Sequence, residues 1–139
     1  MSPRMAEAAI RASFARQAMM TTLGAAMETV ASGEVALSAP VAGHVTQQHG
    51  VAHAGLTFAL ADSAAGYAAL TTMPEGSEVV TSEFRISLLA PGAGPVLRAT
   101  GRVVRPGRRL VAVAADVWGG ADGTVHVATA LGTMVPVRP

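Results

Sequence analysis

Residues 55–70 read GLTFALADSAAGYAAL, and this run determines the architecture of the 139-residue chain. It is almost wholly apolar or small, apart from one carboxylate, Asp62, near its centre. A helix that is apolar on all sides is normally buried in a core. Burying an unpaired carboxylate costs several kcal/mol, so we expect Asp62 to be either hydrogen-bonded or used in chemistry.

The sequence after this run predicts a sheet. We expect the central helix to extend from about residue 54 to residue 72, where Pro74-Glu75-Gly76 stops it. Apolar and polar residues then alternate, which is typical of strands with one buried face. Four strands joined by short turns are predicted at residues 83–88, 96–105, 110–118 and 124–135, the first with Phe84, Ile86 and Leu88 on its buried face.

The N-terminal part is predicted to cover this core. Residues 5–30 favour an amphipathic helix, with Ile10, Phe14 and Ala18 at four-residue spacing on one side, and residues 34–41 favour a strand. Strands joined by short turns pair antiparallel. We therefore predict an α+β fold in which a mostly antiparallel sheet wraps around the central helix, with a helical segment at residues 1–30 and one domain over residues 1–139.

The composition favours self-association and argues against several partners. Hydrophobic residues make up 50% of the chain and charged residues 14%, which favours burying further surface in a homo-oligomer. A net charge of +1 and 4% aromatic residues argue against nucleic-acid binding. The chain has no cysteine, and no carboxylate stands beside His44, His49 and His53, so we expect no metal site and no cofactor.

We expect a cytoplasmic protein without a membrane segment. Arg4, Glu7, Arg11 and Arg16 interrupt the first apolar stretch, which argues against a signal peptide. Residues 55–73 approach the length of a membrane span, but they are rich in alanine and glycine and carry Asp62. A buried helix is the better interpretation.

The start of the central helix is a second place where chemistry is expected. Helix N-termini present free backbone N–H groups and a partial positive charge, so the turn at His53-Ala54-Gly55 could stabilise an oxyanion. Asp62 lies eight residues after Ala54, about 12 Å along the helix axis. One carbonyl group cannot easily touch both. Two copies with antiparallel central helices would bring them together, which predicts a homodimer with a composite site.

These residues also carry a family resemblance. Its specific part is Gly50-x-x-His53-x-Gly55-x-x-x-x-Leu60-Ala61-Asp62, followed by Val80-Thr81, the alternating residues before Pro91 and the Gly107-Arg108 turn. Over about residues 30–135 the chain is similar to the hotdog-fold acyl-CoA thioesterases of the PaaI-like group, in the 4-hydroxybenzoyl-CoA thioesterase-like superfamily. The resemblance implies a hotdog fold and hydrolysis of an acyl-CoA thioester, with Asp62 as nucleophile or as general base on water.

The resemblance implies roles for neighbouring residues as well. In the family, the residue after the histidine lends its backbone N–H to the thioester oxygen, and here that residue is Ala54 instead of the usual glycine. The donor survives this change because φ is negative at a helix start. Gln47, with Gln48 beside it, stands where an asparagine commonly fixes substrate or water. Thr81 or Ser82 stands where a hydroxyl often holds the attacking water, and we prefer Thr81.

Five residues are expected to contact the substrate without doing chemistry, namely Gln48 and Ser82, introduced above, and His53, Gly55 and Arg108. His53 and Gly55 shape the turn, and we expect His53 to orient it rather than to shuttle protons. Arg108 flanks a turn and is a candidate for holding the phosphates of coenzyme A, since arginine suits phosphate. The alternative for Arg108 is a solvated hairpin end.

Two other functions are compatible with the same fold. One is a module that binds acyl-CoA or another small ligand without turnover, in which Asp62 is structural. The other is hydration or dehydration of an enoyl thioester, although the lone acid in the central helix argues against it. In each case we expect a homodimer that pairs further into a dimer of dimers.

Overall fold

The computed structural model describes residues 4–137, which form three helices and six strands. The helices are α1 (Glu7–Ala15), α2 (Ala18–Leu23) and α3 (Ala54–Leu70), and a short 3₁₀ helix lies at Gly43–Val45. The strands are β1 (Ala26–Ala31), β2 (Glu34–Pro40), β3 (Glu78–Leu88), β4 (Val96–Arg105), β5 (Val111–Gly119) and β6 (Val125–Val137).

The six strands form one antiparallel sheet in the order β1-β2-β4-β5-β6-β3, and α3 lies against its inner face. The alternation of residues along the strands explains this packing. Leu97 and Ala99 on β4, like Val113 and Val117 on β5, are buried on the inner face, whereas Arg98 is exposed on the outer one. The predicted α+β fold, with a sheet wrapped around the central helix, is confirmed.

Small side chains allow α3 to lie close to the sheet. Ala61, Ala64 and Ala65 are fully buried, and Gly101 on β4 faces the α3 backbone so closely that a Cβ there would overlap it. A helix covered on all sides explains why the run around Asp62 is apolar all round. No helix within residues 4–137 combines the length and apolar character needed to cross a bilayer.

The prediction of helix over residues 5–30 is wrong for its last part. α2 ends at Gly24, whose φ of 69° is left-handed, and residues 26–31 form β1. β1 pairs with β2 through the two-residue turn Ser32-Gly33, in which Gly33 has a φ of 77°. The sequence of β1, AMETVA, includes good helix formers, but pairing with β2 overrides that local preference. Residues 1–3 of the predicted segment lie outside the described residues.

The rest of the N-terminal segment covers the core as two helices. Ile10 of α1 is fully buried, and the ring of Phe14 packs edge-on against Tyr67 of α3 at a centroid distance of 6.1 Å. Ala18 is exposed, because α1 ends at Ala15 and the chain bends before α2 begins. The four-residue spacing therefore indicates the buried face only as far as Phe14.

β3 is an edge strand, and its predicted buried face is only partly covered. Phe84 and Ile86 are half-buried, but Leu88 is 55% exposed. Phe58 of α3 lies in the run that is predicted to be buried, but it is 39% exposed and packs edge-on against Phe84 with 5.4 Å between ring centroids. The alternation predicted which face of β3 turns inward. It did not predict that the core of the chain leaves part of this face uncovered.

Candidate active site

Asp62 is half-buried in the middle of α3 and has a hydroxyl partner on β3. Thr81 donates its hydroxyl to Asp62 Oδ1 over 2.8 Å. A β-bulge between Thr81 and Glu83 sets this register, and Ser82 is exposed at the bulge. Of the two hydroxyls that the sequence offers, the one beside Asp62 is therefore that of Thr81.

The surroundings of Asp62 make its carboxylate more basic than an exposed one. Burial raises the pKa of the Asp62 carboxyl above its usual range, and the hydrogen bond from Thr81 partly offsets this effect. A base is more effective when its pKa moves toward the working pH. The raised pKa therefore suits Asp62 to act as a general base or as a nucleophile.

A cavity of about 310 Å³ opens beside Asp62, which we call the Asp62 cavity. Its wall is mostly polar. It is formed by residues at the junction of α1 and α2 and by residues of α3, β3 and β6. The lining residues are Ser13, Gln17, Asp62, Ser63, Gly66, Tyr67, Glu78, Val79, Thr81 and Met134. None of these residues is basic.

The start of α3 is held by a histidine cap. His53 precedes the helix in an extended conformation, and its Nδ1 accepts the N–H of Gly55 over 2.8 Å. A Cβ at residue 55 would lie 2.9 Å from that nitrogen, so Gly55 leaves room for the cap. This contact agrees with the expected role of His53 in orienting the turn.

Ala54 is the first residue of α3, and its N–H has no partner within the helix. No other group among residues 4–137 accepts a hydrogen bond from it. Ala54 is also exposed, so its N–H is accessible to an oxygen atom of a ligand.

A second cavity, of about 600 Å³, opens at this helix start, and we call it the helix-start cavity. It is lined by Gln47, by residues 51–54 and by residues 88–92. The side chain of Gln47 accepts the N–H of His49, and the N–H of Ala52 donates to the carbonyl of Gly92 over 2.8 Å. The first bond shapes the loop before α3, and the second joins that loop to residues 88–92.

The carboxylate and the free N–H donor occupy different cavities of one chain. Ala54 lines the helix-start cavity and Asp62 lines the Asp62 cavity. Their separation along α3 is about 12 Å, from a rise of about 1.5 Å per residue. One chain alone therefore does not bring both groups to the same reacting carbon.

Four predicted site residues line neither cavity, and Gly55 is one of them. Gln48, Ser82 and Arg108 are exposed and stand outside both linings. Arg108 lies in the turn between β4 and β5. Val111, which follows this turn, and Thr81 both pair with Met134 of β6, so the turn lies at the same end of the sheet as Thr81.

Sequence alone does not indicate five of the polar residues that line the Asp62 cavity, Ser13, Gln17, Ser63, Tyr67 and Glu78. Tyr67 lies in the run that is predicted to be buried and is 4% exposed, but its hydroxyl accepts from Gln17 Nε2 over 2.7 Å and lies 3.1 Å from Ser13 Oγ. Residues 17 and 67 stand 50 positions apart, and periodicity shows only the apolar side of a tyrosine. No local signal could have brought them together.

The histidines before α3 make separate contacts. His44 Nε2 lies 3.0 Å from the carbonyl oxygen of Thr22, whereas His53 caps α3. Residues 4–137 contain no group of three or more His, Cys, Asp or Glu side chains placed to hold a metal ion.

Comparison with protein families and curated proteins gives two matches. Residues 49–126 match the family model described as the thioesterase superfamily. A protein of Saccharolobus solfataricus, whose name assigns it provisionally to the esterases, is 34% identical over 95 residues. That match covers 68% of this chain and 61% of the relative, so the chain spans less than two thirds of the relative's length.

Solved structures share the architecture. A thioesterase family protein from Silicibacter pomeroyi is 40% identical with a TM-score of 0.91, covering 94% of this chain and 96% of that one. A Bacillus halodurans protein solved with CoA is 28% identical with a TM-score of 0.75, covering 92% and 82%. The PaaI protein of Escherichia coli, 24% identical, has a TM-score of 0.82 and coverages of 91% and 89%. The predicted hotdog fold and the resemblance to the thioesterases are confirmed.

Proposed function

Because this chain belongs to the thioesterase superfamily, we propose that it hydrolyses an acyl-CoA thioester to a free acid and coenzyme A. The observation that carries the proposal is the Asp62 carboxylate, which is half-buried, lies 2.8 Å from the Thr81 hydroxyl and lines a cavity. The CoA in the related Bacillus halodurans structure supports a CoA thioester as the substrate.

Asp62 can act on the thioester carbonyl in two ways. As a nucleophile, its oxygen bonds to the carbonyl carbon while the C–S bond breaks, and water then hydrolyses the resulting anhydride. As a general base, it takes a proton from a water molecule that attacks the same carbon, and the departing sulfur ends as a thiol. We assign to the Thr81 hydroxyl, which bonds to Asp62, the role of holding that water.

Both routes place negative charge on the thioester oxygen and need a donor there. We assign this role to the N–H of Ala54 of the partner subunit, because it has no acceptor among residues 4–137 of its own chain and lies at the positive end of a helix. His53 and Gly55 keep this turn in place. Gln47 borders the same cavity and supplies an amide to the substrate, with Gln48 beside it.

The edge of the sheet supports pairing of two chains. β3 pairs only with β6 among the described strands, so one row of its backbone groups is open. Phe58, Val80, Leu88 and Leu89 are between 39% and 55% exposed along this edge. A second β3 added antiparallel would pair the open groups and lay the two α3 helices side by side in opposite directions. We propose that two such dimers associate and that Arg108 helps to hold the CoA phosphates.

The test is a thiol-release assay over short-chain, long-chain and aryl acyl-CoAs, with wild type and Asp62→Asn compared side by side. We expect Asp62→Asn to lower kcat/KM by at least about a hundredfold, the loss typical of removing a catalytic acid or base. Asp122→Asn, the same chemical change at a fully exposed turn residue, is the matched control and should keep wild-type activity.

The same variants report on folding. Because the folded-state pKa of Asp62 is raised, its ionised form destabilises the fold above that pKa, and this cost disappears as the pH falls below the unfolded value. Asp62→Asn should therefore melt at or above the wild-type temperature at neutral pH. Retained hydrolysis in this well-folded variant contradicts the proposal. Calorimetric binding of acyl-CoA without thiol release identifies a binding module, and loss of a 2-enoyl chromophore without thiol release identifies a hydratase.

A further inference from the structure

We propose that Tyr67, held by Ser13 and Gln17, selects the acyl group of the substrate. The Asp62 cavity then takes an acyl chain whose far end is uncharged and carries a hydrogen-bonding oxygen. This inference rests on the proposed hydrolysis at Asp62 and names its substrate class. Ser13 and Gln17 belong to the N-terminal segment, which lies outside residues 49–126 that match the family model.

Tyr67 and the two residues that bond to its hydroxyl, Ser13 and Gln17, all line the Asp62 cavity. Gln17 Nε2 donates to it over 2.7 Å, and Ser13 Oγ lies 3.1 Å away, where either atom can be the donor. A phenolic oxygen can accept hydrogen bonds while donating one. When Ser13 donates, the Tyr67 proton is left for an oxygen atom of a ligand in the cavity.

The position of Tyr67 suits the far end of a short acyl chain. It follows Asp62 by five residues, which is about 7.5 Å along the helix axis. Gly66 lies between them, one turn after Asp62 on the same face. A Cβ at Gly66 would have its nearest neighbours, the Met134 Sδ and Cε atoms, at 3.9 Å. An alanine would fit there and favour the helix, so glycine leaves space that the acyl chain can occupy.

The charges of the cavity disfavour an anionic far end. Asp62 and Glu78 both line it, and none of its lining residues is basic. A third carboxylate placed there would meet two negative groups and no cation. A purely apolar end would cover the Gln17 amide and the Ser13 hydroxyl without forming a hydrogen bond to either of them.

The experiment compares three CoA thioesters of similar length, 6-hydroxyhexanoyl-CoA, heptanoyl-CoA and adipoyl-CoA, in the thiol-release assay. Wild type should favour the hydroxylated chain over heptanoyl-CoA in kcat/KM by about three- to tenfold, the effect of one neutral hydrogen bond. Adipoyl-CoA should be the slowest substrate. Tyr67→Phe keeps the ring that packs on Phe14 and removes the hydroxyl, so the preference for the hydroxylated chain should fall to about one.

Two further variants make the result specific. Thr22→Val is the matched control and should keep the wild-type preference. It also removes a hydroxyl from the N-terminal segment, but that hydroxyl, on α2, donates to the carbonyl of Ala18. Gly66→Ala should raise the melting temperature and lower kcat/KM for all three substrates by at least about fivefold, because its methyl group fills the cavity. This second variant tests occupancy of the cavity even where Tyr67→Phe folds poorly.

The outcomes separate this inference from the proposed function. If wild type hydrolyses no thioester, the proposed function fails and this inference fails with it. If wild type hydrolyses thioesters but Tyr67→Phe keeps the preference, or Gly66→Ala leaves all three rates unchanged, only the assignment of the acyl group to this cavity is overturned. Loss of the preference in Tyr67→Phe, with the control unchanged, supports it.

Discussion

The hydroxyl of Thr81 and the burial of Asp62 have opposite effects on the pKa of the Asp62 carboxyl. Desolvation raises the pKa of the carboxyl, and the 2.8 Å bond from Thr81 lowers it. Both proposed routes require the ionised carboxylate. The rate must therefore fall as the pH drops through the pKa of Asp62, at a higher pH than for an exposed aspartate, whose pKa is about 3.9.

We predict that Thr81→Val moves this acidic limb to higher pH. The substitution removes the interaction that lowers the pKa of Asp62 and leaves the burial that raises it. The measurement is kcat/KM against pH for wild type, Thr81→Val and Thr81→Ser. Thr81→Ser keeps a hydroxyl and should keep the wild-type limb. A limb that stays in place in Thr81→Val would show that the titrating group is not Asp62.

Whether a site residue could be predicted depended on its neighbours in the sequence. Asp62 was identifiable because a carboxylate stands out in an apolar run, and Thr81 because a strand start follows the helix. Tyr67 carried no such signal, since its hydroxyl finds Gln17 and Ser13 only through folding of the N-terminal segment over α3. A polar residue in an apolar run, such as Asp62, is visible in the sequence. The functional hydroxyl of a mostly apolar side chain, such as Tyr67, is not.

The contact between α3 and β4 depends on a residue without a side chain. Gly101 is buried on β4, and a Cβ there would overlap the backbone of Ala64 and Ala65. Backbone atoms of a central helix cannot move aside as a flexible side chain can. This contact therefore fixes the distance between α3 and β4.

We predict that Gly101→Ala destabilises the protein by about 1–3 kcal/mol or more, the cost of overpacking a tight interior. Urea unfolding of the variant and of wild type measures the difference. Gly43→Ala is the control, because a Cβ at Gly43 would meet no atom within 4 Å, and it should change stability by less than about 1 kcal/mol. Equal stability of Gly101→Ala and wild type would mean that α3 can shift away from β4.

Elements with strong periodicity were predicted well, and elements defined by pairing were not. β4 has the predicted limits, residues 96–105, because its apolar and polar residues alternate over the whole strand. β1 was predicted as helix, since its composition favours helix and only the turn at Ser32-Gly33 indicates a hairpin. The inner face of β3 was predicted, but its exposure depends on where the sheet ends.

The chain as a unit carries two incomplete halves of a site. The Asp62 carboxylate and the proposed oxyanion donor, the N–H of Ala54, lie on one helix about 12 Å apart and face different cavities. A β3 edge with exposed apolar side chains runs beside both. Pairing at that edge would complete two equivalent sites at once, because a two-fold axis gives each subunit the same contacts.

Ala54→Pro is the substitution that removes the donor alone. Proline has no N–H and is favoured at the first position of a helix, which is the position of Ala54. The preceding residue, His53, has φ of −61° and ψ of 141°, a conformation compatible with a following proline. Ala54→Gly keeps the N–H and serves as the control.

Complementation between two inactive variants tests the shared site. Each homodimer, Asp62→Asn or Ala54→Pro, lacks one essential group in both of its sites and should lose about a hundredfold in kcat or more. A heterodimer isolated with two different affinity tags has one doubly defective site and one intact site, formed by Asp62 of the Ala54→Pro chain and Ala54 of the Asp62→Asn chain. Its activity should return to about half that of wild type. A heterodimer as inactive as its parents would place both groups in a site within one chain.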